Sequence, residues 1–176
     1  MAYVVQDAQL GTPPIASSLL ASTAAGRSTP GKLGDIVKAV DPVYGVGEFI
    51  YLLGVAATVV GSVVTYDGAS SGTPTFQTAL APSTAGLDQP LAVAMSANVA
   101  NQYGWYQISG SAVVATNGTL AAGPGPVYLA GSGQVTSTQA NGKQVLNARN
   151  ETATGTPAAN QAVVKINRPF AQGQIV

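Results

Sequence analysis

The chain has 176 residues, 46% hydrophobic and 8% charged, with seven Lys and Arg balancing seven Asp and Glu, and with no Cys and no His. Charged residues make up about a quarter of an ordinary soluble protein, and a duplex-binding role neutralising ~6–10 phosphates would need nearly every Lys and Arg on one face, which argues against nucleic acid as partner. Without Cys there is no disulfide scaffold, thiol nucleophile or Cys-ligated zinc, and without His the commonest general base and metal ligand are missing.

The apolar fraction suffices for a core. Abundant Val and Thr favour strands, and frequent Gly, Asn and Pro favour turns, so the expected class is all-β. Residues 1–45 read as a separate, extended and mostly irregular N-terminal arm. It carries two Pro-bearing punctuations, Gly11–Pro14 and Ser28–Gly31. Leu33, Ile36, Val37 and Val40 recur at spacings of three and four, which predicts one short helix near 32–40. Ordering such a segment costs ~1–2 kcal/mol per residue. Its few large apolar groups (Tyr3, Val4, Val5, Leu10, Ile15, Leu19, Leu20) return only ~1.5–3 kcal/mol each when buried. The arm is therefore expected to order when a partner covers it. Tyr3, Val4 and Val5 would add to a sheet edge, where backbone bonds supply affinity, and Leu33, Ile36 and Val37 would dock as one helical face.

Residues 46–176 read as a β-rich head, with strands expected over 48–54, 62–67, 90–96, 103–109, 111–115, 126–130, 134–138, 143–149 and 161–167. Turns are marked by Asp67-Gly68, Asn117-Gly118, Gly131-Ser132-Gly133 and Asn141-Gly142. The apolar run Phe49–Tyr66 is nearly long enough to span a membrane. Gly54 and Gly61 interrupt it, and Glu48 and Asp67 rather than basic anchors flank it, so two strands are the better reading. The first basic residue is Arg27, so a basic leader ahead of an apolar core is not expected.

The head carries a weak internal repeat. GSVVTYDG (61–68) parallels GPVYLAG (125–131), PLAVAM (90–95) parallels VLNARN (145–150), and WYQIS (105–109) parallels VVKIN (163–167). A small two-lobed barrel or sandwich with pseudo-symmetric halves follows. No charge occurs between Gln89 and Gly142; such a surface invites self-association, with Trp105 and Tyr106 the aromatics expected at the contact.

Catalytic chemistry finds little support. Asp35, Asp41, Glu48, Asp67 and Asp88 are scattered over turns and the arm, with nothing to pair them. TYDGASSGTP supplies too few ligands for a calcium loop, and GPGP opens a strand rather than a helix, which removes the phosphate-cradle reading. Asn117-Gly-Thr and Asn150-Glu-Thr match the glycosylation pattern only accidentally if no secretory signal is present. No enzyme activity, cofactor or metal is expected. After Gly142 the chain turns basic, with Lys143, Arg149, Lys165 and Arg168 against Glu151 alone, a patch suited to an acidic partner surface.

PVYLAGSGQVTSTQANGKQVLNAR (126–149), AVVKINRP (162–169) and the mid-domain QYGWYQISGSAVV (102–114) resemble the small β-rich capsid decoration, or cement, proteins of tailed bacteriophages. The likeness spans roughly 46–168. Asn147 departs from it, standing where that pattern usually has Gly. The resemblance implies a non-enzymatic virion protein on the outer surface of the capsid, assembled in the host cytoplasm, bridging major capsid protein subunits, without membrane or nucleic acid as partner. With closed cyclic symmetry the usual solution, it also implies a homotrimer. The arm residues Tyr3, Val4, Val5, Leu10, Ile15, Leu33, Ile36 and Val37, with basic Arg149, Lys165 and Arg168, are the expected capsid contacts. The alternative is a receptor- or glycan-binding β module of a phage fibre or cell surface. Such a site would use Gln102, Tyr103, Trp105 and Tyr106, the one cluster of aromatics with neighbouring amides.

Overall fold

The computed structural model describes residues 4–5, 15–16, 18–20, 32–66, 75–98 and 102–175. They form an all-β fold of twelve strands: β1 (Val4–Val5), β2 (Ser18–Leu20), β3 (Ile36–Asp41), β4 (Gly45–Leu53), β5 (Val63–Tyr66), β6 (Thr78–Leu80), β7 (Leu91–Ala94), β8 (Gln102–Ala115), β9 (Tyr128–Gly131), β10 (Gln134–Thr136), β11 (Val145–Asn150) and β12 (Gln161–Ala171). Ten strands share one antiparallel sheet whose main path runs β1-β3-β4-β8-β7-β5-β6, while β9 and β10 form a separate hairpin. β12 joins this sheet through β8 and carries β11 on its other side. The sheet does not close into a barrel.

β8 is the spine, and it is one continuous strand rather than the two expected over 103–109 and 111–115. Its first half pairs β4 and β7, with Tyr51 opposite Trp105 and Ala94 opposite Tyr106. Its second half pairs β12, from Ser109↔Asn167 to Ala115↔Gln161. Gly110 stands at the changeover with φ 104°, and a Cβ there would lie 2.5 Å from the Val46 carbonyl oxygen. Only glycine accommodates both the angle and the approach.

The N-terminal region differs from the expected arm with a short helix. Ile36–Asp41 is a strand paired with β4 throughout, from Ile36↔Ile50 to Asp41↔Gly45. Val37, Ala39 and Asp41 face inward while Ile36 and Lys38 face solvent, so a period of two prevails over the three-and-four spacing. β-Branched Ile36, Val37 and Val40 lose little in a strand, and the turn that follows is well specified. The Asp41 carboxylate accepts hydrogen bonds from the Val43 amide (2.7 Å) and the Tyr44 amide (2.9 Å). The expected boundary at 45/46 thus cuts a hairpin, and β3 belongs to the head. Residues 1–3, 6–14, 17 and 21–31, about half of the expected arm, lie outside the described residues.

The internal repeat is visible in the topology. A hairpin (β5–β6), then β7, then β8 is matched by a hairpin (β9–β10), then β11, then β12. β7 lies between β5 and β8. In the second half β11 pairs β12, and the Val145 amide donates to the Val127 carbonyl at 2.8 Å, bringing β11 beside the β9 hairpin. Ser109 and Asn167, equivalent in the sequence repeat, sit opposite each other in the β8–β12 ladder.

Alternation along these strands separates three cores. Leu91 and Val93 of β7 join Val114, Leu129, Val135, Val145, Val164 and Ile166 in the largest cluster, and Ala92 and Ala94 join Ile50, Leu52, Tyr106 and Ile108 in a second. The third holds Val37, Phe49, Tyr51, Met95 and Trp105 together with Ile15 from the N-terminal segment. A gap of ≈ 10 Å³ lined by Val63, Leu91, Val114 and Val164 is too small for an organic ligand.

Candidate interaction surface

Burial sorts the expected contact residues. Tyr3 and Leu10 lie outside the described residues. Val4 and Val5 form β1 and pair with Val40 and Ala39 of the chain's own β3. Ile15 is 2% exposed within the aromatic cluster, and Leu33 packs against the same cluster. Ile36 is 41% exposed but Val37 only 1%, so these two point to opposite faces of a strand and do not form the single helical docking face expected.

Trp105 and Tyr106 are corrected as well. They are 2% and 0% exposed and belong to two different core clusters. The Trp105 ring is tilted at 53° against Tyr51 at 4.9 Å, and Tyr103 stacks on Tyr51 at 6.1 Å. The Tyr106 hydroxyl accepts a hydrogen bond from the Asn98 side-chain amide. Neither residue is available to a neighbouring subunit or to a sugar ring. They build the fold.

Arg149, Lys165 and Arg168, in contrast, are exposed, and the first two stand together. Arg149 of β11 lies directly opposite Lys165 of β12, and Lys165 lies directly opposite Ser111 of β8. Directly opposed residues in an antiparallel pair share a face, so the three form one row across three strands. The Lys165 ammonium reaches the Ser111 hydroxyl at 3.4 Å. Asn147, Ala148, Arg149, Lys165, Ile166 and Asn167 line a shallow groove of ≈ 290 Å³. A second depression, ≈ 230 Å³, is lined by Pro124, Arg149, Asn150 and Glu151.

A bulge shapes the groove. The β11–β12 register shifts between Leu146 and Ala148, with Asn147 at φ 57° and Arg168 at φ 47°. Asn tolerates the left-handed region better than most residues, which is why it can stand where the resembling pattern has Gly. Arg168 pairs with Glu48 of β4 at 3.0 Å, and Glu48 also lies 4.0 Å from Lys38 of β3. Arg168 acts at a distance on Tyr66, whose hydroxyl is pushed above the usual tyrosine range by burial and pulled back in part by that cation.

Sequence reasoning missed Lys38, Glu48, Ser111, Asn147 and Asn167 as members of this surface. Asn147 alone left a signal, through its departure from Gly. At the opposite extreme of polarity, Val43 and Val46 of the β3–β4 hairpin are 77% and 55% exposed.

Among the described residues no three His, Cys, Asp or Glu side chains gather to hold a metal ion, and no helix is long and apolar enough to cross a membrane. Asn150 of the Asn-Glu-Thr pattern is 2% exposed, with its amide donating to the Ala121 carbonyl, so it is no acceptor for a glycan in the folded chain. No family model matches this chain, and no characterised protein is detectably similar to it in sequence.

Proposed function

We propose that this protein decorates and cements the head of a tailed bacteriophage, bridging major capsid protein subunits on the outer surface of the virion. The observation that carries this reading is the spatial continuity of the segments that resemble cement proteins. QYGWYQISGSAVV runs along β8, PVYLAGSGQVT forms the β9–β10 hairpin, and GKQVLNAR and AVVKINRP supply β11 and β12. Residues from all of these strands, Val114, Leu129, Val135, Val145 and Val164 among them, share the largest core. A likeness built from low-complexity strands gains weight when its pieces make one folding unit.

The mode of action is mechanical. A protein that binds the assembled lattice and not free subunits stabilises the lattice by mass action, and modest contacts repeated by symmetry give avidity without any single tight site. Exposed Arg149 and Lys165 would face acidic capsid surface. Self-association as a trimer would draw on exposed residues such as Val43 and Val46, because Trp105 and Tyr106 are internal.

The test mixes the purified protein with undecorated phage heads and, separately, with bacterial cell envelopes. Saturable co-sedimentation with heads and raised head stability to heat are the expected results. Capture by envelopes with no binding to heads would replace this reading by the receptor-binding one.

A further inference from the structure

We propose that the groove between Arg149 and Lys165 is a carboxylate-recognition site that takes acidic side chains from an exposed loop or strand of a protein partner. The proposal rests on the decoration reading for the partner's identity, and on the following geometry for the chemistry.

Like charges directly opposite destabilise an antiparallel strand pair. Arg149 and Lys165 are so placed in a chain with only fourteen Asp, Glu, Lys and Arg in 176 residues. Two other cations, Arg168 and Lys38, lie against Glu48. Among the described residues the ion pairs include neither Arg149 nor Lys165, and the Lys165 ammonium meets the neutral Ser111 hydroxyl. The two cations flank a groove that Asn147, Ala148, Ile166 and Asn167 also line. Asn147 is there because the strand bulges in a left-handed conformation, and bulges recur where a strand re-aims a side chain at a site.

A carboxylate fits this donor set. The planar guanidinium of Arg binds a carboxylate through two parallel hydrogen bonds, the ammonium adds a point charge, and each Asn amide can donate one more bond. A nucleic acid fits less well. Tracking phosphates requires a run of cations, whereas this row ends after two. Glu151 lines the depression beyond Arg149, and Glu48 stands behind Arg168. Acids at both margins favour a short acidic element over a long polyanion.

The experiment follows backbone amide resonances of the full-length protein at low salt during titration with a short end-blocked poly-glutamate peptide, its poly-glutamine counterpart, and a thymidine oligonucleotide of equal charge. Poly-glutamate should shift amides around 147–149 and 165–167. The double variant R149Q/K165Q, with its strand circular dichroism unchanged, should weaken that binding about tenfold or more. Equal binding of the oligonucleotide at the same amides, shifts located elsewhere, or a double variant that binds poly-glutamate as well as wild type each overturn the proposal. Phage heads separate the two readings. A wild-type protein that binds poly-glutamate in the groove yet ignores heads leaves the groove standing and removes the decoration reading. A double variant that coats heads as wild type does retains decoration and removes the groove as its contact.

Discussion

Truncation from the N-terminus should have two sharply different outcomes. A chain beginning at Lys32 loses β1, β2 and Ile15. Burial of Ile15 stabilises by ~1.5–3 kcal/mol, and the short ladders to β3 and β8 add bonds worth ~0.5–1.5 kcal/mol net each. A loss of roughly 3–5 kcal/mol is tolerable for a domain whose total stability is ~5–15 kcal/mol. A chain beginning at Val43 also loses β3, which pairs with β4 over six residues and buries Val37 and Ala39. It leaves β4 as a bare edge and uncovers Phe49 and Tyr51, which pack in the same cluster as Val37. The accumulated loss is then on the order of 10 kcal/mol, the size of the whole stability. Trp105 is the single tryptophan of the chain and sits in that cluster, so its emission reports the event. Urea unfolding followed by Trp105 fluorescence and far-UV circular dichroism should show the Lys32 chain folded, with its midpoint lowered by roughly 1–2.5 M at an m-value of ~2–3 kcal/mol/M, the upper part of the usual range because the slope grows with chain size. The Val43 chain should show red-shifted Trp105 emission without denaturant. Indistinguishable midpoints for the two chains would refute the placement of β3 within the head.

Three further outcomes follow from single positions. Gly110→Ala should cost about 2–4 kcal/mol in urea or thermal unfolding, because it adds both a positive-φ penalty and a clash with the Val46 carbonyl. Asn147→Gly should be neutral or mildly stabilising while Asn147→Val costs about 1–3 kcal/mol, since a β-branched residue is poorly accommodated at φ 57°; equal melting temperatures for the two would contradict the bulge. Burial, with a smaller contribution from neighbouring Tyr103, pushes the Tyr51 hydroxyl up to about 12, and burial raises Tyr66 and Tyr106 as well. The neutral phenol is the folded form. Its contribution is therefore complete below the unfolded value of about 10 and is lost as pH rises through the window from about 10 to 12. Tyr51→Phe should flatten the stability profile in that window. It should also be neutral or stabilising at pH 7, because the buried Tyr51 hydroxyl has no hydrogen-bond partner among the described residues.

The class of the fold, most of its strands and the repeated hairpin-strand-strand order were legible in the sequence. Those features rest on local chemistry: β-branched alternation along β12 and Gly-bearing turns at 131–133. The role of 36–41 was not. Leu33, Ile36, Val37 and Val40 satisfy a helical spacing, and the neighbouring β4 edge, which pairs with β3 along its whole length, makes the strand win. Trp105 and Tyr106 were misplaced for a related reason. Aromatics favour both cores and interfaces, and the choice depends on whether β4, β7 and the N-terminal segment cover β8, which is a tertiary matter. The basic residues show the same division: their presence after Gly142 is a property of composition. That Arg149 stands opposite Lys165 while Arg168 turns away to Glu48 is decided by a strand register and a bulge, and a register is fixed by pairing between distant segments.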